Sequence, residues 1–145
     1  MSLTMRTREM TRQGSSWGVT IPVIRDTQLF DSSFSLVDVP VDPQFRPSLR
    51  LYDIDVSTLP QVLVRVYAYD PTPLRSSPDR LLFEFTPSFS RGYPGMSVSY
   101  LWSIPNPPAT GRLRVEVIPL DGRKDYWGFV SVTNNVTQEV TIISP

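Results

Sequence analysis

Histidine and cysteine are both absent from the 145 residues, and lysine occurs once, at Lys124. Without them no Ser-His-Asp or Cys-His constellation can be assembled within the chain. Disulfides are excluded, and so are zinc sites built on thiolates or imidazoles. Net charge is lacking as well, since 14 basic residues balance 14 acidic ones. No broad basic field draws in a phosphate backbone, so a nucleic-acid partner is not expected. No stretch approaches the ~20 apolar residues of a membrane span, so no insertion into a bilayer is expected. Arg6, Arg8 and Arg12 lead into Gly14-Ser15-Ser16 rather than into the apolar run of a signal peptide, so no export signal is read in this chain. Residues 1–14 read as a leader or a poorly ordered N-terminal segment, with Thr4 to Thr11 able to add an extra edge strand; residues 15–145 read as one domain.

What the chain has is period-two alternation. Trp17, Val19, Ile21 and Val23 share one parity, and Pro22 on the other marks an edge strand, because proline cannot donate to a ladder. Phe34 and Leu36 share a parity opposite to that of Val37, Val39 and Val41; one extra residue in a strand, a bulge, produces such a slip. A second slip is expected where Leu49 and Leu51 give way to Tyr52, Ile54 and Val56. Val62 to Ala68, Leu81 to Phe85, Met96 to Ile104 and Leu113 to Val117 each alternate cleanly. Tyr126 to Thr133 and Val136 to Ser144 flank Asn134-Asn135, a pair that tolerates the positive φ of a hairpin turn. The 15 prolines and seven glycines gather between these runs. No long window keeps the i, i+3, i+4, i+7 pattern of an amphipathic helix. The expectation is an all-β domain: a two-sheet antiparallel β-sandwich, Ig-like or jelly-roll-like, of eight or nine strands.

With histidine and cysteine gone, carboxylates are the main groups left for acid–base work. A glycosidase needs two of them ~5–10 Å apart in a cleft. Glu84 and Glu116 alternate with apolar neighbours and Glu139 shares its parity with Thr137 and Thr141, so all three point to solvated faces. No catalytic residue is assigned, and no enzyme is expected. Calcium takes oxygen ligands only, and Asp53, Asp55, Asp38 and Asp42 are the carboxylates to consider; they read as solvated groups and turn caps, so no metal and no cofactor is assigned.

Trp102 shares its parity with Met96, Val98 and Tyr100, and Trp127 stands two residues before Phe129; both tryptophans are therefore expected in the core. Tyr67 and Tyr69, opposite the Val62 to Ala68 face, and Tyr93, in a Pro-Gly loop, are the aromatics expected at the surface. They could stack against a sugar ring. Phe89, Arg91 and Tyr93 in the loop from Pro87 to Gly95 are the candidate partner contacts, since Tyr and Arg are enriched in binding hot spots.

Toward the C-terminus the chain runs Arg114-Val115-Glu116-Val117, then Trp127-Gly128-Phe129-Val130-Ser131-Val132-Thr133-Asn134-Asn135-Val136-Thr137, and closes on Ile142-Ile143-Ser144-Pro145. This resembles the final hairpin of Ig-like β-sandwich repeat modules in large secreted or surface bacterial proteins. The resemblance implies a sandwich in an extracellular, cell-surface or periplasmic setting and carries no functional residue across. Three functions stay open. One is a non-catalytic module that spaces or docks neighbouring domains of a secreted or surface protein. The second is a carbohydrate-binding module using exposed aromatics, and the third a structural subunit of a virion, pilus or secretion apparatus. Partners are accordingly a protein or a glycan.

Overall fold

Extended backbone follows the alternating runs. The structure, a computed structural model, describes residues 4–8, 18–55, 59–72, 78–90, 95–123 and 125–145, with residues 4–8 and 18–22 described by backbone alone. The strands are β1 (Thr4–Arg8), β2 (Gly18–Pro22), β3 (Phe34–Pro40), β4 (Phe45–Asp53), β5 (Val62–Ala68), β6 (Arg80–Phe85), β7 (Gly95–Tyr100), β8 (Arg112–Pro119), β9 (Tyr126–Asn134) and β10 (Val140–Ile143). A 3₁₀ turn, Asp26–Gln28, is the helical element among the described residues.

Two four-stranded antiparallel sheets form, ordered β10-β9-β4-β7 and β3-β8-β5-β6, and β1 pairs with β2 in a separate ribbon. The domain is thus the two-sheet β-sandwich that alternation predicts. Its pairs are nested: β6 lies against β5, β7 against β4, and β8 against β3. A long antiparallel ribbon closed at β5–β6 has been rolled so that its successive segments alternate between the sheets. Of the two windings expected, this is the jelly-roll one.

Inward positions carry the core. Leu36, Val39, Leu49, Val64, Val66, Leu113, Val115 and Val130 are all without solvent exposure. Phe83, Phe85 and Phe89 join them as partly buried neighbours. Removing one such leucine to alanine costs about 2–5 kcal/mol.

The phase slip in β3 is a bulge. Leu36 faces Val115 and Val39 faces Leu113, so Val37 and Asp38 together stand opposite Arg114. Asp38 takes a positive φ of 61° there, and its side chain and carbonyl both reach Arg112 at 3.5 Å.

The slip expected in β4 does not occur. Its register against β9 runs unbroken from Phe45 to Asp53, with Pro47, Leu49, Leu51 and Asp53 all buried. An aspartate can hold the inward position at the end of this series because Arg123 meets it there, which leaves Tyr52 facing outward.

The final hairpin also differs in detail from expectation. Positive φ falls on Gln138, at 60°, rather than on the asparagine pair. Asn134 acts through its side chain instead, its Oδ1 accepting from the backbone N–H groups of Val136 and Thr137.

β9 approaches β4 closely at one point. A Cβ on Gly128 would lie 2.5 Å from Leu51 Cδ2 and 2.9 Å from the Arg50 carbonyl oxygen. Only glycine fits, and that close approach sets its flanking residues Trp127 and Phe129 against the outer side of β4.

Candidate functional site

Three polar regions can be built up from these strands. The first is the outer face of β3-β8-β5-β6, where charges answer one another. Arg65 pairs with Glu84 at 3.1 Å, and Tyr67 Oη donates to Glu116 at 2.9 Å. Arg114 pairs with the nearly buried Asp79 at 2.6 Å while its guanidinium lies 4.0 Å over the Tyr67 ring. This face is closed on itself.

The second is a corner where β9 begins. Asp121-Gly122-Arg123 makes a tight turn, with Gly122 at φ 67° and Asp121 Oδ1 accepting from the Arg123 N–H. The turn sends the Arg123 guanidinium inward, where it meets Asp53 at 3.1 Å, Asp55 at 3.3 Å, Asp121 at 2.8 Å and Asp125 at 3.7 Å. Tyr126 Oη accepts from Arg123 at 2.6 Å and from the Gln61 N–H at 3.2 Å, and donates to Asp121 at 2.5 Å. Because Gln61 precedes β5 and Tyr126 opens β9, this hydroxyl ties one sheet to the other.

Electrostatics in the corner follow from burial. Burial raises the Asp121 carboxyl, but hydrogen bonds from Tyr126 and Arg123 outweigh it and hold the group at about 2. Burial and the bond to Asp121 push Tyr126 up to about 12. Asp53, only 1% exposed, stays above its usual value because burial outweighs the pull of Arg123. Arg123 loses something to burial and gains more from Asp121, Asp53 and Tyr126, so its proton is held more tightly than usual. Asp53 and Asp55, expected as solvated groups and turn caps, are bound to Arg123, and Asp53 Oδ1 also caps the turn by accepting from the Asp55 N–H at 3.1 Å. Among the described residues no acidic cluster is arranged to hold a metal ion. The corner is architecture.

The third region is a groove of about 630 Å³ on the outer face of β10-β9-β4-β7. Its floor alternates with the core residues of β4 and β9. Ser48, Arg50 and Tyr52 come from β4, and Phe129, Ser131 and Thr133 from β9. Ser48 Oγ and Ser131 Oγ are hydrogen-bonded at 2.8 Å. Val140 and Ile142 of β10 form one wall, and Tyr100 and Trp102 form the other. At the inner end Tyr52, Trp127 and Phe129 make an aromatic cluster, with ring centroids 5.3–6.1 Å apart.

Trp127 and Phe129 are buried, at 8% and 3% exposure, yet on the outward side of β9, where Tyr52 packs on them. Tyr100 and Trp102 are open to solvent, at 66% and 52%, with centroids 6.2 Å apart. Trp102 is therefore not a core residue. The parity rule is inverted on β7: the serine face turns inward, with Ser97 only 4% exposed, and the Met96-Val98-Tyr100 face turns outward.

The groove's charge is one-sided. Among the described residues its lining holds Arg46 and Arg50 and no carboxylate. Arg46 accepts the company of Gln138, donating to its Oε1 at 3.4 Å. Arg50, half-buried in the middle of the floor, has no hydrogen-bond or ion-pair partner among the described residues.

The described residues among those singled out from the sequence lie elsewhere. Tyr67 is half-buried beneath Arg114, and Tyr69 is half-buried with its backbone N–H bonded to Arg112. Phe89 packs against the core cluster, while Arg91 and Tyr93 lie outside the described residues. Tyr100 and Trp102 were missed because bulky alternating residues were assigned to the core, Tyr52 was placed in a phase slip that does not occur, and Arg50 was not singled out. One available signal was that Met96 to Tyr100 alternates with the small Ser97 and Ser99, which fill little core volume, and that Leu101 follows on their parity.

Comparison with protein families, with curated proteins and with solved structures gave no match to this chain. No helix among the described residues is long and apolar enough to cross a membrane.

Proposed function

We propose that this chain is a non-catalytic β-sandwich module that binds glycans in the groove on the outer face of β10-β9-β4-β7. One observation carries the reading: two exposed aromatic rings, Tyr100 and Trp102, stand at the mouth of a groove floored by serine, threonine and tyrosine. A sugar ring has an apolar C–H face and a rim of hydroxyls. Exposed aromatic faces suit the first, and hydroxyl-bearing side chains suit the second. That no carboxylate stands among the described lining residues supports binding without hydrolysis, since glycoside cleavage calls for a pair of them. In this reading the module docks a secreted or surface bacterial protein onto a polysaccharide.

Affinity electrophoresis through gels containing a panel of soluble glycans tests the proposal. Retardation by at least one glycan, lost in Tyr100→Ala and Trp102→Ala, is expected. Free migration through every gel sinks it.

A second reading is favoured by the winding alone. Jelly rolls build virion shells as well as lectins, so a structural subunit of an assembly has a specific observation behind it. Light scattering separates the two, because particle formation by the purified chain would favour the shell subunit and a monomer would favour the binding module.

A further inference from the structure

We infer that the groove selects glycans whose sugar rings carry a carboxylate, with Arg50 as the residue that pairs with it. The inference rests on the glycan reading above and adds the ligand's charge to it. A half-buried guanidinium is normally matched by an acid, and elsewhere in this molecule that rule holds: Arg65, Arg112, Arg114 and Arg123 each meet a carboxylate. Among the described residues Arg50 does not, although it sits between Tyr52 and Ser48 on a floor where Ser48 and Ser131 hydrogen-bond to each other. Burying a charge without a partner is costly, and a ligand carboxylate would remove that cost.

The chemistry of the fork narrows the ligand further. A guanidinium presents parallel N–H groups that match the two oxygens of a carboxylate. Phosphate and sulfate offer the same match, but polymers bearing them bring a denser negative charge and call for several cations in a row. The groove offers two arginines, one of them already shared with Gln138, in a chain of no net charge. One carboxylate per ring suits that supply. An acidic peptide would meet Arg50 equally well but would leave the exposed Tyr100 and Trp102 faces without a flat partner; a uronic-acid chain offers both.

The test compares polygalacturonate with its carboxyl-reduced counterpart, a neutral galactan, both in the presence of EDTA to exclude calcium bridging. Isothermal titration of the wild-type chain should show about tenfold to a hundredfold tighter binding of the acidic polymer, the range of one charge-assisted hydrogen-bonded pair. Arg50→Gln should bring the two affinities together, whereas Trp102→Ala should weaken both. Arg50→Lys should keep part of the preference, since it retains charge without the fork. Equal affinity of the wild type for the two polymers, or a preference that survives Arg50→Gln, overturns the inference and leaves the glycan reading in place. Binding of neither polymer, nor of any glycan in the electrophoresis panel, overturns the glycan reading and this inference with it. Binding of poly-glutamate as tight as polygalacturonate overturns it in favour of an acidic peptide. Circular dichroism melting of each variant guards against misfolding, and Arg46→Gln serves as a second probe of the same charge.

Discussion

Arg123, in the turn before β9, and Arg50, in the middle of β4, are two partly buried guanidiniums with opposite surroundings. Arg123 is wrapped by Asp53, Asp55, Asp121, Asp125 and the Tyr126 hydroxyl. Arg50 faces aromatic rings and serines, with no acid among the described residues. The first spends its hydrogen bonds on holding two sheets together at one corner. The second has none of these partners, and it is the group to which the proposed acidic glycan would bind.

That contrast can be broken or sharpened by experiment. Arg123→Met should cost about 3–5 kcal/mol in urea denaturation, because it strands several partly buried carboxylates. A loss below ~1 kcal/mol would show that the corner is ornamental, since that is the worth of an exposed pair. Next in size is an acid limb. Asp121 is lowered from its ordinary 3.8 to about 2, so its contribution is present above pH 3.8 and is lost as pH falls through about 2. At 1.36 kcal/mol per pH unit this amounts to about 2 kcal/mol. Asp53 works the other way: its raised carboxyl favours the fold below its unfolded value and loses that as pH rises through the raised one. Asp121→Asn should therefore flatten the acid limb of a stability–pH curve, and a limb left unchanged by that substitution would refute the assignment. Smaller still, Ser48→Ala should cost about 1 kcal/mol by leaving the buried Ser131 hydroxyl without its partner. Arg50→Ala closes the series with a stability change within about 0.5 kcal/mol. A loss as large as that of Arg123→Met would mean that Arg50 is structural after all, and the comparison would collapse.

Much of the sandwich was legible in residue order, and the reasons are local. A strand with one buried face alternates, and the reversal between Leu36 and Val37 marked the bulge at Asp38 to within a residue. The jelly-roll winding was not legible, because pairing Phe34 with Val117 or Leu51 with Gly128 depends on partners far along the chain. The corner stayed hidden for the same reason. Asp53 follows Leu49 and Leu51 at inward parity, which was a usable hint of a buried acid, but its partner Arg123 lay 70 residues on. The groove was hidden by a different rule. Size was taken to mean burial, and on β7 Ser97 went inside while Tyr100, and Trp102 just beyond the strand, stayed out.

Nested winding also has a consequence in time. The innermost pair, β5–β6, closes the shortest loop of the ribbon, and every later pair must wait for a longer one. Domains dominated by such distant pairings refold in milliseconds to seconds rather than microseconds. In stopped-flow refolding, lesions in β5 or β6 should slow the folding arm, and lesions in β3, whose partner β8 is the most distant of the nested pairs, should mainly quicken unfolding. The groove proposed for the ligand is assembled from β4, β7, β9 and β10, so it is completed only once those strands have paired.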